Sequence, residues 1–164
     1  MGLVDLAERA LRRAILLALA SLCACAHLPP LIVPSDPLDA EEHRRLGSAY
    51  EAQGLKADAA RQYEAATRKD PKDAEAWVAL GNLSYAAGDF AAAEKDFRRA
   101  LKAVPRHPGA SNNLAMTLLA QGRDLDRAEE LARDALSQDT PLKPYIKDTL
   151  ANIQARRSSL AQKH

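Results

Sequence analysis

Between residues 40 and 140 the apolar positions come at helical spacing, and the pattern then recurs as a block. Trp77, Leu80 and Leu83 share one face of a first helix, and Ala93, Phe97, Ala100 and Leu101 share one face of a second. Leu46, Leu80 and Leu114 stand 34 residues apart, and each is followed by a small residue, Gly47, Gly81 and Ala115. Gly54, Gly88 and Gly122 keep that step, as do Ala59 and Ala93, Tyr63 and Phe97, Ala66 and Ala100, and Pro71 and Pro105. Self-similarity at this period marks a stacked repeat, in which each unit buries its apolar face only against its neighbours. Such an architecture points to binding, not to chemistry in a closed cleft.

Polar and special residues punctuate the same repeat. Asp73 offers an N-cap carboxylate to a helix running to about Ala87, and Gly88 a left-handed stop. Asp89 caps a second helix running to about Ala103, with Pro105 just past its end. Gly47, Gly81 and Ala115 sit where a bulky side chain would push paired helices apart, with Ala59 and Ala93 opposite them. Tyr63 and Phe97 are expected to fill the space between neighbouring hairpins. After Pro141 the period stops. Ile146, Leu150, Ile153 and Leu160 form the stripe of one more helix, whose other faces carry Lys147, Gln154, Arg156 and Arg157. A terminal helix with a polar face is the cap a solenoid needs. The expected fold is all-α, with seven helices after residue 38 and no strand. Three hairpins span 40–73, 74–107 and 108–140 within a repeat region of 39–139, followed by a capping helix and tail over 141–164. The expected core includes Leu46, Tyr50, Tyr63, Trp77, Leu80, Phe97, Leu114 and Ile146.

Over residues 40–139 this pattern resembles the tetratricopeptide repeat family. The first unit places His43, Leu46-Gly47, Tyr50, Gly54, Ala59, Tyr63, Ala66 and Pro71 at the family's positions. The second places Trp77, Leu80-Gly81, Gly88, Ala93, Phe97, Ala100 and Pro105 there, with Ser84 where the family has Tyr. The third is degenerate. Ser111, Leu114-Ala115, Leu118 and Gly122 match, and one extra residue within Arg123–Asp126 shifts the small pair to Ala128 and Ala135. The resemblance implies a helix-turn-helix solenoid whose first helices line a concave groove for a protein or peptide partner. Carried over, Arg44, Asn82, Tyr85, Asn112 and Met116 would contact that partner, in a groove running from a charged end to an apolar one. Tyr85 would be its main anchor. The carboxylate clamp of chaperone-binding members is incomplete here, so an acidic chaperone tail is not the expected ligand.

The chain ahead of the repeat reads as a targeting segment. Arg9, Arg12 and Arg13 precede the uncharged run Ala14–Ala26, which is too short for a bilayer that needs about 20 residues. The run ends in Leu22-Cys23-Ala24-Cys25, which resembles the bacterial lipobox. The resemblance implies a signal peptide over 1–24, acylation of Cys25, and, with Ala26 following, sorting to the outer membrane. Ordinary signal cleavage is the other reading, since Ala24-Cys25-Ala26 also fits a small-x-small site. Residues 25–38 are a Pro-rich tether, long enough to hold a domain roughly 30–40 Å from its anchor.

Charge and chemistry narrow the function. The formal net charge is +1, and without residues 1–24 basic and acidic side chains balance, which argues against nucleic acid as partner. Both cysteines lie in the targeting segment, so the repeat domain needs no disulfide. No nucleophile elbow or phosphate-binding glycine loop occurs, and His27, His43, His107 and His164 share no ligand spacing. No enzyme, cofactor or metal is expected. The sequence therefore points to a non-enzymatic scaffold, held by a lipid anchor in the bacterial envelope and facing the periplasm. It would assist assembly or placement of a larger envelope complex of the pilus or secretion kind. A soluble periplasmic adaptor or cofactor for a cell-wall enzyme is the alternative.

Overall fold

The computed structural model describes residues 36–162. Seven helices and no strand are found among them: α1 (Ala40–Ala52), α2 (Lys56–Lys69), α3 (Ala74–Ala86), α4 (Phe90–Ala103), α5 (Pro108–Gln121), α6 (Leu125–Ser137) and α7 (Lys143–Ala161). The all-α expectation holds, and the helices belong to one unit beginning at Leu38.

Side chains set the start of each hairpin by satisfying amide groups that no helical carbonyl can reach. Asp39 and Glu42 exchange hydrogen bonds with each other's backbone N–H, both at 2.8 Å. The Asp73 carboxylate accepts from Ala76 N–H at 3.0 Å, and Asp89 accepts from Ala92 N–H at 2.9 Å. At α5 the cap is an imidazole. His107 Nδ1 accepts from Ala110 N–H at 3.1 Å, with Pro108 in the first turn. Nε2 of the same ring bonds to Glu75 on α3 at 2.9 Å, tying the second hairpin to the third. Inside each hairpin the chain reverses through a glycine in the left-handed region, with φ of 77° at Gly54, 79° at Gly88 and 66° at Gly122. The extra residue of the third unit falls here and forces Asp124 to a φ of 49°.

Helices pack as α1 on α2, α3 on α4 and α5 on α6, and the hairpins stack through α2 on α3 and α4 on α5. The pairing is close because of glycine. A β-carbon on Gly47 would stand 2.6 Å from the Tyr63 ring, and one on Gly81 would stand 2.5 Å from the Phe97 ring. The aromatic rings therefore cover the glycine of their own hairpin, and they also reach the next one. Tyr63 clusters with Leu80, and Phe97 with Leu114, Ala115 and Leu118. Of the expected core, Tyr63, Leu80, Phe97, Leu114 and Ile146 are buried, whereas Leu46, Tyr50 and Trp77 are only half-buried. His43, at the position Trp77 fills in the next unit, is 4% exposed and bonds through Nδ1 to Gln62 at 2.8 Å.

The cap docks through both apolar and ionic contacts. Ile146 and Ile153 of α7 are fully buried against the cluster that contains Leu118 and Leu131. Glu129 on α6 is buried, with 5% of its side chain exposed, and it pairs with Arg133 on its own helix and Arg157 on α7. Gln154 donates to it at 3.3 Å. The Gln154 hydrogen bond, aided by Arg157 and against the cost of burial, holds the Glu129 carboxyl below its ordinary value of 4.5.

Candidate functional site

The first helices of the second and third hairpins lie side by side, and their polar residues meet across the seam. Asn113 on α5 donates through Nδ2 to Oδ1 of Asn82 on α3 at 2.8 Å. That bond leaves the Asn82 amide donors without a side-chain partner among the described residues. Beside the pair, Tyr85 stands edge-on to Phe90, with ring centroids 5.3 Å apart and planes at 62°, which fixes the ring's position. Asn82, Tyr85, Asn113 and Met116, with Phe97 behind them, enclose a cavity of about 180 Å³. Asn82 is exposed, while Tyr85, Asn113 and Met116 are half-buried. The arrangement offers amide groups for a peptide backbone next to an aromatic and thioether lining for one apolar side chain.

The structure thus brings together three of the residues expected in the groove, Asn82, Tyr85 and Met116, and separates two. Asn112, expected to be exposed, is 6% exposed. Its Nδ2 faces Asn113 Oδ1 at 3.4 Å and Met116 Sδ at 3.5 Å, so it lies behind the site. α7 packs on α5 as well as on α6 at that end of the row. Arg44 lies apart from the cavity. It pairs with Glu41, and with Asp73 at 3.4 Å, in an open depression shared with Asp39, Glu75 and His107. Asn113 is the residue that sequence reasoning missed. Its signal is the doublet Asn112-Asn113, of which only the register of α5 on α3 selects the second member. Cys25 lies outside the described residues. Among those residues, no group of three or more His, Cys, Asp or Glu side chains is placed to hold a metal ion.

The sequence profile of the tetratricopeptide repeat matches residues 44–94 and 78–145, which together span well over half of the chain. The chain belongs to the tetratricopeptide repeat family. Three similar structures agree with the fold. The first tetratricopeptide domain of Spaghetti (RPAP3), bound to the HSP90 peptide SRMEEVD, has a TM-score of 0.64 at 20% identity, covering 74% of this chain and 93% of that one. The TPR2B domain of yeast Sti1, in a complex with pHsp70, has a TM-score of 0.66 at 20% identity, covering 71% and 97%. The Yersinia enterocolitica type III secretion chaperone SycD, with a peptide of the translocator YopD, has a TM-score of 0.64 at 21% identity, covering 71% and 93%. At such identities the likeness establishes the fold alone. No curated protein sequence matches the chain. Tetratricopeptide domains are in general protein-interaction modules, and this chain is one by family.

Proposed function

We propose that this tetratricopeptide protein is a non-enzymatic adaptor that holds an extended peptide segment of a protein partner along α3 and α5. The observation that carries this reading is the cavity between the paired asparagines, Tyr85 and Met116. An extended peptide presents carbonyl groups to amide donors and alternate side chains to pockets, and the cavity has room for one apolar side chain. Two of the similar structures hold peptides, from HSP90 and from YopD, which supports the same use of the fold. The experiment is photo-crosslinking in the native host. A photoreactive side chain at Met116 should trap a partner, and one at the exposed Arg61 on α2 should not. Equal trapping from both positions would count against the reading.

The partner complex is proposed to lie in the bacterial envelope, with the protein held there by acylated Cys25 and facing the periplasm. Leu22-Cys23-Ala24-Cys25 supports this reading. No helix among the described residues is long and apolar enough to cross a membrane. In this reading attachment rests on the lipid, and stable anchoring needs more than one acyl chain. Replacing Cys25→Ala should abolish fatty-acid labelling and move the protein to the soluble fraction. Retained labelling would exclude Cys25 as the acylated residue, and a soluble, unlabelled native chain would favour the periplasmic adaptor.

A further inference from the structure

The chain's single tryptophan walls a second cleft that shares no residue with the cavity on α3 and α5. Thr67 on α2, Pro71 and Lys72 in the loop that follows, Trp77 on α3, and Arg99 and Lys102 on α4 line about 480 Å³ of space. The indole is fixed in place, since its Nε1 donates to the Pro71 carbonyl at 3.0 Å. The Arg99 guanidinium carbon stands 4.5 Å from the ring centroid. Stacking of this kind orients the plane of the guanidinium while leaving its N–H edge available. Arg99 pairs loosely with Asp96, 3.9 Å from its Nη1 and beyond hydrogen-bonding distance, so the pair leaves its N–H donors available.

The two lysines of the cleft, unlike Arg99, have no such partner: among the described residues no carboxylate pairs with Lys72 or Lys102, and no carboxylate lines the cleft. The domain's arginines contrast with this: Arg98, Arg106, Arg123, Arg133 and Arg157 each meet a carboxylate. A cation in the last turn of a helix complements the helix dipole, which accounts for Lys102 taken alone. It does not account for three cations converging from a loop and a helix on one aromatic wall. Their mutual repulsion is relieved by an anion. The site is recessed, so a side chain projecting from a peptide can enter it more readily than the flat surface of a bilayer.

We propose that the cleft formed by Lys72, Arg99, Lys102 and Trp77 binds an acidic segment of a partner protein. One carboxylate takes the free edge of Arg99 between the two lysines, and a neighbouring apolar side chain lies on the indole. The site acts independently of the cavity at Tyr85, so a single partner could be held at two places or two partners at one place each.

Because Trp77 is the only tryptophan, its fluorescence reports on this cleft alone. The probe is a synthetic peptide of alternating glutamate and leucine, with a glutamine-leucine peptide as control, titrated into the full-length chain. The acidic peptide should shift the emission in a saturable way that weakens as salt is raised, and the control should not. The double variant Lys72→Glu/Lys102→Glu, both changes being on exposed side chains, should weaken binding at least tenfold with unchanged helicity. Arg99→Gln should weaken it comparably, and Tyr85→Ala should leave it intact. No saturable shift with the acidic peptide would overturn the proposal. So would a shift caused only by phosphatidylglycerol vesicles, which would assign the cleft to lipid head groups, or equal binding by the charge-reversed variant.

Discussion

The Phe97 ring lies so close to Gly81 that a β-carbon there would stand 2.5 Å from Cε1. Phe97 is fully buried and cannot swing away without opening its cluster with Leu114 and Leu118. Replacing Gly81→Leu should therefore force α3 and α4 apart and cost about 1–3 kcal/mol or more. Thermal melting followed by circular dichroism checks this, and a melting point equal to that of the parent would contradict the packing described.

The third hairpin solves the same problem differently, and this yields a sharper test. Ala115 replaces the glycine, and once the extra residue at Arg123–Asp126 is allowed for, Ala132 takes the place of the ring. Both alanines are fully buried. Ala132→Phe should thus destabilise the protein by about 1–3 kcal/mol through overpacking. Adding Ala115→Gly should recover part of that loss by recreating the glycine–ring pair of the earlier hairpins. A double variant no more stable than Ala132→Phe alone would show that the two positions are not coupled.

Docking of α7 should depend on acid. The folded-state pKa of Glu129 is depressed, so its contribution is present above the ordinary value of 4.5 and is lost as pH falls through the folded value. Protection factors of the α7 amides, corrected for the intrinsic slowing of exchange in acid, should fall as pH drops below 4.5, and more than those of α3 and α4. Glu129→Gln should weaken α7 protection already at neutral pH and flatten the acid response. Uniform exchange across the helices at every pH would remove Glu129 from this role.

High pH should loosen the first hairpin through Tyr63. Burial, and then its hydrogen bond to Glu51, pushes the phenol up to about 12. The neutral form is thus favoured in the folded state. Stability is intact below the unfolded value of 10.0 and is lost as pH rises through the folded one. Absorbance titration of the parent against Tyr63→Phe should show one late-ionising tyrosine that the variant lacks.

How much of this could be read from the chain follows from which contacts are local. Period, caps and small residues are sequence-local, so the hairpins, Asp73, Asp89 and the glycine stops were legible. The His107 cap was not, because an imidazole acts as an N-cap only when its other nitrogen finds a partner, here Glu75 from another hairpin. Tyr63 and Phe97 were assigned to the space between hairpins, and their contact with Gly47 and Gly81 emerges only when both helices are placed. In the groove, the positions carried over from the tetratricopeptide resemblance put Asn82 and Tyr85 together. They also assigned Asn112 to the groove, whereas α5 is set on α3 so that Asn112 is buried and Asn113 meets Asn82. Arg44 was assigned to the groove as a cation, but it pairs with Glu41 on its own helix and with Asp73, one unit away.

The central claim is that the face of α3 and α5 holds the partner, and the affinity of Tyr85→Ala tests it most directly. Tyr85 is half-buried at the cavity, edge-on to Phe90 and packed on the cluster that contains Phe97 and Leu114, so truncation should leave helicity close to that of the parent and lower the melting point without unfolding the chain at the titration temperature. Once the partner trapped from Met116 has been identified, its dissociation constant should be measured against the parent, Tyr85→Ala and Asn113→Ala by titration calorimetry. The account predicts a loss of about 2 kcal/mol, roughly thirtyfold, for Tyr85→Ala, with a smaller loss for Asn113→Ala. Unchanged affinity in both variants, with the fold intact, would contradict it and move the binding face elsewhere on the solenoid.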